Sequence, residues 1–203
     1  MFRFQVPSLS HFFTAILVLL LPFASLAQHR TFEILKGGEV VGSVAASRTR
    51  TGDRTLYVLS SYSMMNVLWK QTVITAMTTE YLGNELRTCM TSIRLNGALR
   101  DSSHMTRDAE GFRCHVYPQP PFRHATTSAW TTARMYYEEP IGQESVFVES
   151  VLTHCTLSLL SAGNYLLTFP NGAQSRYRYA AGLLEEIHVD RTFIKLLFRR
   201  KHD

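Results

Sequence analysis

From Phe32 onward the chain alternates apolar and polar positions, after an opening apolar run from Phe12 to Phe23. Period two marks strands with one face toward a core. Phe32, Ile34 and Lys36 run into Gly37-Gly38, a tight-turn pair, and Val40, Gly42, Val44 and Ala46 make one face of the strand that follows. Beyond Thr51-Gly52-Asp53, Leu56, Val58, Ser60, Tyr62 and Met64 make another face. Trp69, Gln71, Val73, Thr75, Met77, Thr79 and Tyr81 continue it in a long strand that ends at Gly83-Asn84. Asn96-Gly97 is the strongest hairpin signal, because both residues tolerate the positive φ of a type I′ turn. A two-residue loop there pairs Leu95 with Ala98 and sets Cys89 opposite His104. The Asp108-Ala109-Glu110-Gly111 turn leads to Phe112–Tyr117, and Pro118, Pro120 and Pro121 stop pairing, since proline gives the ladder no N–H.

In the second half, a three-residue loop, Pro170-Asn171-Gly172, pairs Phe169 with Ala173 and Tyr165 with Tyr177, and puts Pro and Gly where a type I turn plus bulge wants them. Leu183–Val189 and Thr192–Phe198 close the chain, joined around Asp190-Arg191. One segment breaks the alternation. Ala129, Trp130, Ala133, Tyr136 and Tyr137 fall at helical spacing, behind Thr126, Thr127 and Ser128 as N-cap candidates and before Pro140, which predicts a helix over Thr127–Glu138. The expected fold is therefore all-β: a mostly antiparallel meander forming a half-open curved sheet or barrel, with one short helix packed on the concave face.

Composition narrows this further. The chain has 203 residues, 45% hydrophobic, 11% aromatic and 18% charged, which suits one domain with a real core and excludes a disordered or low-complexity protein. Arg3 followed by the apolar run, with small residues in Ser25-Leu26-Ala27, reads as an export signal cleaved before Gln28. The run is shorter than the roughly 20 residues that span a bilayer, which argues against a membrane anchor. The predicted organisation is a signal peptide over 1–27 and a single β-rich domain over 28–203, without a lipoprotein cysteine, periplasmic or secreted. The formal charge is +5, but the arginines are scattered singly along alternating strands apart from Arg199-Arg200-Lys201, which reads as a solvated strand end. That does not fit a nucleic-acid surface, which needs clustered basic residues with interleaved aromatics.

Little chemistry is legible. Cys89, Cys114 and Cys155 admit one disulfide plus a spare thiol, or three buried thiols. Cys89, His104, Cys114 and His115 form the best metal candidate, on adjacent strands, but without short ligand spacing the reading is ordinary sheet residues and no metal. Glu138-Glu139 and Glu185-Glu186 read as solvated faces, since strand neighbours point oppositely and cannot make a glycosidase pair. No nucleophile elbow, phosphate loop or zinc helix motif is present. The best binding candidate is Trp130, Arg134, Tyr136 and Tyr137: an arginine on an aromatic helix beside a sheet concavity can meet an anionic headgroup while the rings line an apolar slot. The alternative makes the rings core and pairs Arg134 with Glu138.

Phe32–Ala46, the stretch Ala133-Arg134-Met135-Tyr136-Tyr137-Glu138-Glu139-Pro140-Ile141-Gly142, and Tyr165 through Tyr179 together resemble a domain-of-unknown-function family of exported proteins from Bacteroidota. In that family a Leu/Met-Tyr-Phe/Tyr-x-Glu-Pro element precedes a Tyr-bearing Pro-Asn/Asp-Gly hairpin. The resemblance implies a β-rich envelope or secreted protein and supplies no catalytic residue or cofactor. More remotely, the layout is similar to the half-open barrels of periplasmic lipid and lipoprotein carriers. The functional expectation is a non-enzymatic module for a hydrophobic or amphiphilic small molecule, or for a partner peptide or envelope protein. The alternatives are a hydrolase assembled at the sheet mouth and a scaffold module.

Overall fold

The computed structural model describes residues 26–66, 69–124, 129–191 and 194–202; the apolar run and the N-cap candidates Thr126, Thr127 and Ser128 lie outside them. The first seven strands are β1 (Leu26–Lys36), β2 (Glu39–Thr51), β3 (Arg54–Asn66), β4 (Lys70–Leu82), β5 (Glu85–Leu95), β6 (Ala98–Asp108) and β7 (Gly111–Val116). A short β8 (Phe122–His124) precedes the helical turn α1 (Thr132–Met135). Then follow β9 (Ser145–Val148), β10 (Thr153–Ser161), β11 (Asn164–Thr168), β12 (Gln174–Ala180), β13 (Leu183–Arg191) and β14 (Ile194–Arg200).

All fourteen strands lie in one antiparallel sheet, in the order β8-β7-β6-β5-β4-β3-β2-β1-β14-β13-β12-β11-β10-β9. The chain thus meanders out in both directions from the β1–β14 pair that joins its two ends. The sheet does not close into a barrel: β8 and β9 are its edges. Strands of up to 13 residues carry enough right-handed twist to coil such a sheet on itself, and the concave side encloses the core. Phe32, Phe112, Phe147, Met105, Met135 and Leu184 are among its fully buried side chains. The segment 129–152, with α1 in it, enters this concavity, where the Tyr136 ring stands edge-on to Phe32 at 5.4 Å.

The edges come together without a ladder. Phe147 donates its N–H to the Trp130 carbonyl (2.9 Å), so the approach to α1 runs beside the free side of β9. His124 of β8 reaches across to Phe147 and His154, with ring centroids 6.2 and 6.1 Å apart. Covering an edge in this way blocks pairing with another chain.

The Asn96-Gly97 and Pro170-Asn171-Gly172 loops form as the sequence predicts: Leu95 pairs with Ala98, and Tyr165 with Tyr177. Four expectations are corrected. First, β4 does not continue β3 but folds back along it, from Arg54↔Leu82 to Asn66↔Lys70. The even positions Leu56, Tyr62 and Met64 are exposed on the outer face, whereas Tyr57, Leu59 and Met65 point inward. Second, a bulge between Ile93 and Arg94 slides the β5–β6 register by one residue, so Cys89 pairs with Met105, and His104 with Met90. Third, β13 runs on through Asp190 and Arg191, which pair with Lys195 and Ile194, so these two residues are not the turn.

Fourth, the helix is four residues long rather than twelve. Thr131, capping α1 through its hydroxyl, is also bridged to Phe147, and that extended bridge stops helical geometry from reaching back to Trp130. At the other end, the Tyr137 and Glu138 N–H groups both turn in to the Arg134 carbonyl, and Pro140 ends the segment.

One close approach makes the fold sensitive to a single atom. Gly42 lies beside the bulge at Ile34/Leu35, and a Cβ there would sit 2.1 Å from the Tyr62 carbonyl oxygen and 2.6 Å from the Ser63 Cα. Backbone cannot yield as a flexible side chain does, so Gly42→Ala is expected to cost about 2 kcal/mol, read as a lower urea midpoint at unchanged slope. A variant as stable as the parent contradicts this packing.

Candidate functional site

The centre of the concavity is polar at one point. Glu149, just past β9, is fully buried. Its Oε1 accepts from the Ala133 N–H (3.0 Å) and the Thr79 hydroxyl (3.1 Å), and its Oε2 accepts from the Thr132 N–H (3.1 Å) and the Thr132 hydroxyl. The Glu149 carbonyl accepts from Ser103 (2.6 Å), whose hydroxyl also meets that of Thr91 (2.6 Å). One residue therefore ties α1 to β4, β5 and β6. A carboxylate taking that many donors has its lone pairs spent on the fold. Its arrangement is that of a pin.

The two ends of the concavity differ. At one end, Val44, Leu59, Met77, Ile93 and Tyr136 wall an open slot of about 220 Å³, with Ser61, Thr75 and Thr91 among them. At the other end the inward positions of β1 and β2 are Gln28, Arg30, Arg48 and Arg50. Arg30 and Arg48 sit 4.9 and 5.0 Å from the centre of the Tyr137 ring. Arg30 donates to the Tyr136 carbonyl, Arg48 to Glu138 (2.7 Å) and Gln28 (2.8 Å). Burial pushes the Tyr137 phenol up to about 12, against the opposing pull of Arg30 and Arg48. Its ring thus stays a neutral platform for two guanidinium groups.

The four predicted binding residues do not line one common opening. Arg134 stacks on Trp130 at 4.3 Å and pairs with Glu138 at 2.8 Å. Tyr136 and Tyr137 are buried. Tyr136 reaches the apolar slot, whereas Arg134 and Glu138 border a small polar recess with Tyr81 and Asn84.

The cysteine and histidine group is split by the pleat. Cys89 and Cys114 lie inside and buried, while His104 and His115 are paired on the outer face and exposed. All three cysteines are free, and burial raises their thiol pKa values, most strongly at Cys89. The glutamate doublets are not solvated faces. Glu138 bridges Arg48 and Arg134, Glu139 accepts from the Tyr165 hydroxyl (2.9 Å), Glu185 pairs with Arg200 (3.1 Å), and Glu186 pairs with Arg178 (3.1 Å). Nor is Arg200 a solvated strand end: it is half-buried beside Glu185.

A groove of about 650 Å³ lies on the outer face of β11–β14. Arg176, Arg178 and Lys195 line it against a single lining carboxylate, Asp190, which pairs with Lys195, while Arg178 pairs with the neighbouring Glu186. Sequence reading missed the inward arginines of β1 and β2. The signal was there in Gln28/Arg30 and Arg48/Arg50 flanking a Gly-Gly turn, but the bulge at Ile34/Leu35 shifts which of them share a face.

Compared with known families, residues 32–201 match a domain of unknown function, DUF6134. No curated protein and no solved structure matches the chain.

Two outcomes follow from this geometry. Glu149→Ala leaves the Thr132 and Ala133 N–H groups buried without acceptors, an expected loss of about 3 kcal/mol, and Glu149→Gln keeps part of the network and loses less. Equal urea midpoints for parent and Glu149→Ala contradict the pin. At the seam, burial and then the neighbouring His124 lower the His154 pKa. The unfolded chain thus takes up that proton first as pH falls. This contribution is intact above the unfolded value of about 6.5 and is lost on descending through the folded value. Melting curves should show the parent losing more stability than His154→Gln between about pH 7.5 and 5; parallel losses refute it.

Proposed function

The chain belongs to the domain-of-unknown-function family DUF6134, and on that footing we propose that it is an exported, non-enzymatic binding module for a small hydrophobic or amphiphilic molecule. The observation that carries this reading is the slot walled by Val44, Leu59, Met77, Ile93 and Tyr136, which opens from the concave face of a sheet that has no closing ladder. Val44, Leu59 and Tyr136 are buried, while Met77 and Ile93 stay part-exposed on this inward face, and part-exposed apolar side chains are where an apolar ligand recovers burial free energy. The small volume restricts the occupant to a short chain or one ring, because segment 129–152 fills the rest of the interior.

Export rests on the leader reading over residues 1–27, in line with the Bacteroidota envelope proteins that the chain resembles. The predicted cleavage point before Gln28 falls within β1, where Gln28 pairs with Arg48. No helix among the described residues is long and apolar enough to cross a membrane. A hydrolase site would join a histidine to both a serine and a carboxylate; His104 instead bonds Thr106, and His188 bonds Glu186, each on the exposed outer face.

Hexanoate, a fatty acid short enough for the slot, tests it by isothermal titration calorimetry. The parent protein should bind hexanoate, and Ile93→Trp, which fills the slot from a half-exposed position, should weaken binding at least about tenfold without lowering the melting temperature. No binding to the parent, or binding indifferent to Ile93→Trp, overturns the proposal.

A further inference from the structure

A second, chemically different opening lies on the rim between β1 and β14. β1 pairs with β14 only from Phe32 to Leu35, so its residues 26–31 extend past the end of that partner. The Lys201 N–H bonds the Thr31 carbonyl (2.8 Å) as the last rung. Beyond it a recess of about 290 Å³ is lined by His29, Arg30, Thr31, Arg200, Lys201 and His202, with no carboxylate in its wall. Three of the six are permanent cations at neutral pH and two are imidazoles.

The charge around this recess is not balanced from within. Glu185 serves both Arg200 (3.1 Å) and His202 (3.0 Å), and Glu33 stands 3.9 Å from Lys201. Arg30 has no carboxylate partner among the described residues. It is half-buried, held by the Tyr136 carbonyl and the Tyr137 ring. Burial first, and then the nearby Arg200, lowers its pKa. A desolvated guanidinium ordinarily sits against an anion. Arg30 is instead fixed in place by groups that use little of its fork and leave donors for a planar or tetrahedral oxyanion.

We infer that the rim recess formed by Arg30, Arg200 and Lys201 is an anion-binding site for a phosphate-type oxyanion, either free or carried on a lipid headgroup. The site shares no lining residue with the apolar slot, so it goes beyond the reading above and stands or falls separately. The fork of Arg30 supplies direction, Arg200 and Lys201 supply charge, and the unpartnered edge of β1 keeps the recess open to solvent.

The test uses the full chain and two probes: inorganic phosphate, followed by isothermal titration calorimetry, and sedimentation with vesicles of phosphatidylglycerol against phosphatidylcholine. Arg30→Gln should weaken phosphate or phosphatidylglycerol binding about tenfold, and Arg30→Lys should recover only part of it, because the ammonium lacks the fork. Lys201→Gln, at an exposed position, should weaken it about threefold at most while leaving the fold intact, as a point charge near the surface does. Binding to free phosphate identifies a soluble oxyanion; binding confined to phosphatidylglycerol vesicles identifies a headgroup. Absence of binding to both probes overturns the inference. So does binding to either that Arg30→Gln and Lys201→Gln leave unchanged. Loss of hexanoate binding in Ile93→Trp with phosphate binding retained separates the two sites.

Discussion

A buried carboxylate holding a helical turn inside an open sheet is the constraint on which the rest of this structure depends. A sheet that closes on itself is fixed by its own ladder; one with two edges must be held at its chosen curvature by what it encloses. Here Glu149 reaches from the end of β9 to the first N–H groups of α1 and to Thr79 on β4, while its own carbonyl takes Ser103 on β6. The β9 edge and α1 are thereby tethered to the middle of the sheet through a single residue. Apolar packing of Phe32, Phe147, Met135 and Leu184 supplies the bulk of the burial, but it is non-directional, whereas the carboxylate sets which residues meet.

The same plug shapes what the protein can do. With the middle of the concavity filled, open space is left at the two ends, and these are chemically opposite. Val44, Leu59, Met77 and Ile93 face one, and inward arginines face the other. Tyr136 and Tyr137 lie back to back between them, the first reaching the apolar slot and the second presenting its ring to Arg30 and Arg48.

Much of the fold was legible because turn chemistry and period-two patterning agree. The Gly37-Gly38, Asn96-Gly97 and Pro170-Asn171-Gly172 loops set three hairpins, and an all-β meander around one helical piece follows from them. Part of what was not legible traces to the bulges. Each inserts a residue into one strand and reverses the inside-outside assignment of everything beyond it. The bulge at Ile93/Arg94 parts Cys89 from His104, and that at Ile34/Leu35 leaves Val40 exposed and turns Arg48 to the same side as Gln28 and Arg30. Helical spacing over 129–137 was real only around Ala133 and overstated the helix, because the bridge from Thr131 to Phe147 is a long-range contact that no local pattern reveals. Glu149 was invisible for the same reason: its partners lie 16 to 70 residues away.

Native-state hydrogen exchange at the Thr132 and Ala133 amides reads the central claim most directly. If the Glu149 carboxylate pins the plug to the sheet, both amides exchange only through global opening, with the same free energy and denaturant dependence as the amides of β4 and β5. Exchange at those two positions orders of magnitude faster than in the sheet, as in a surface turn, contradicts the account.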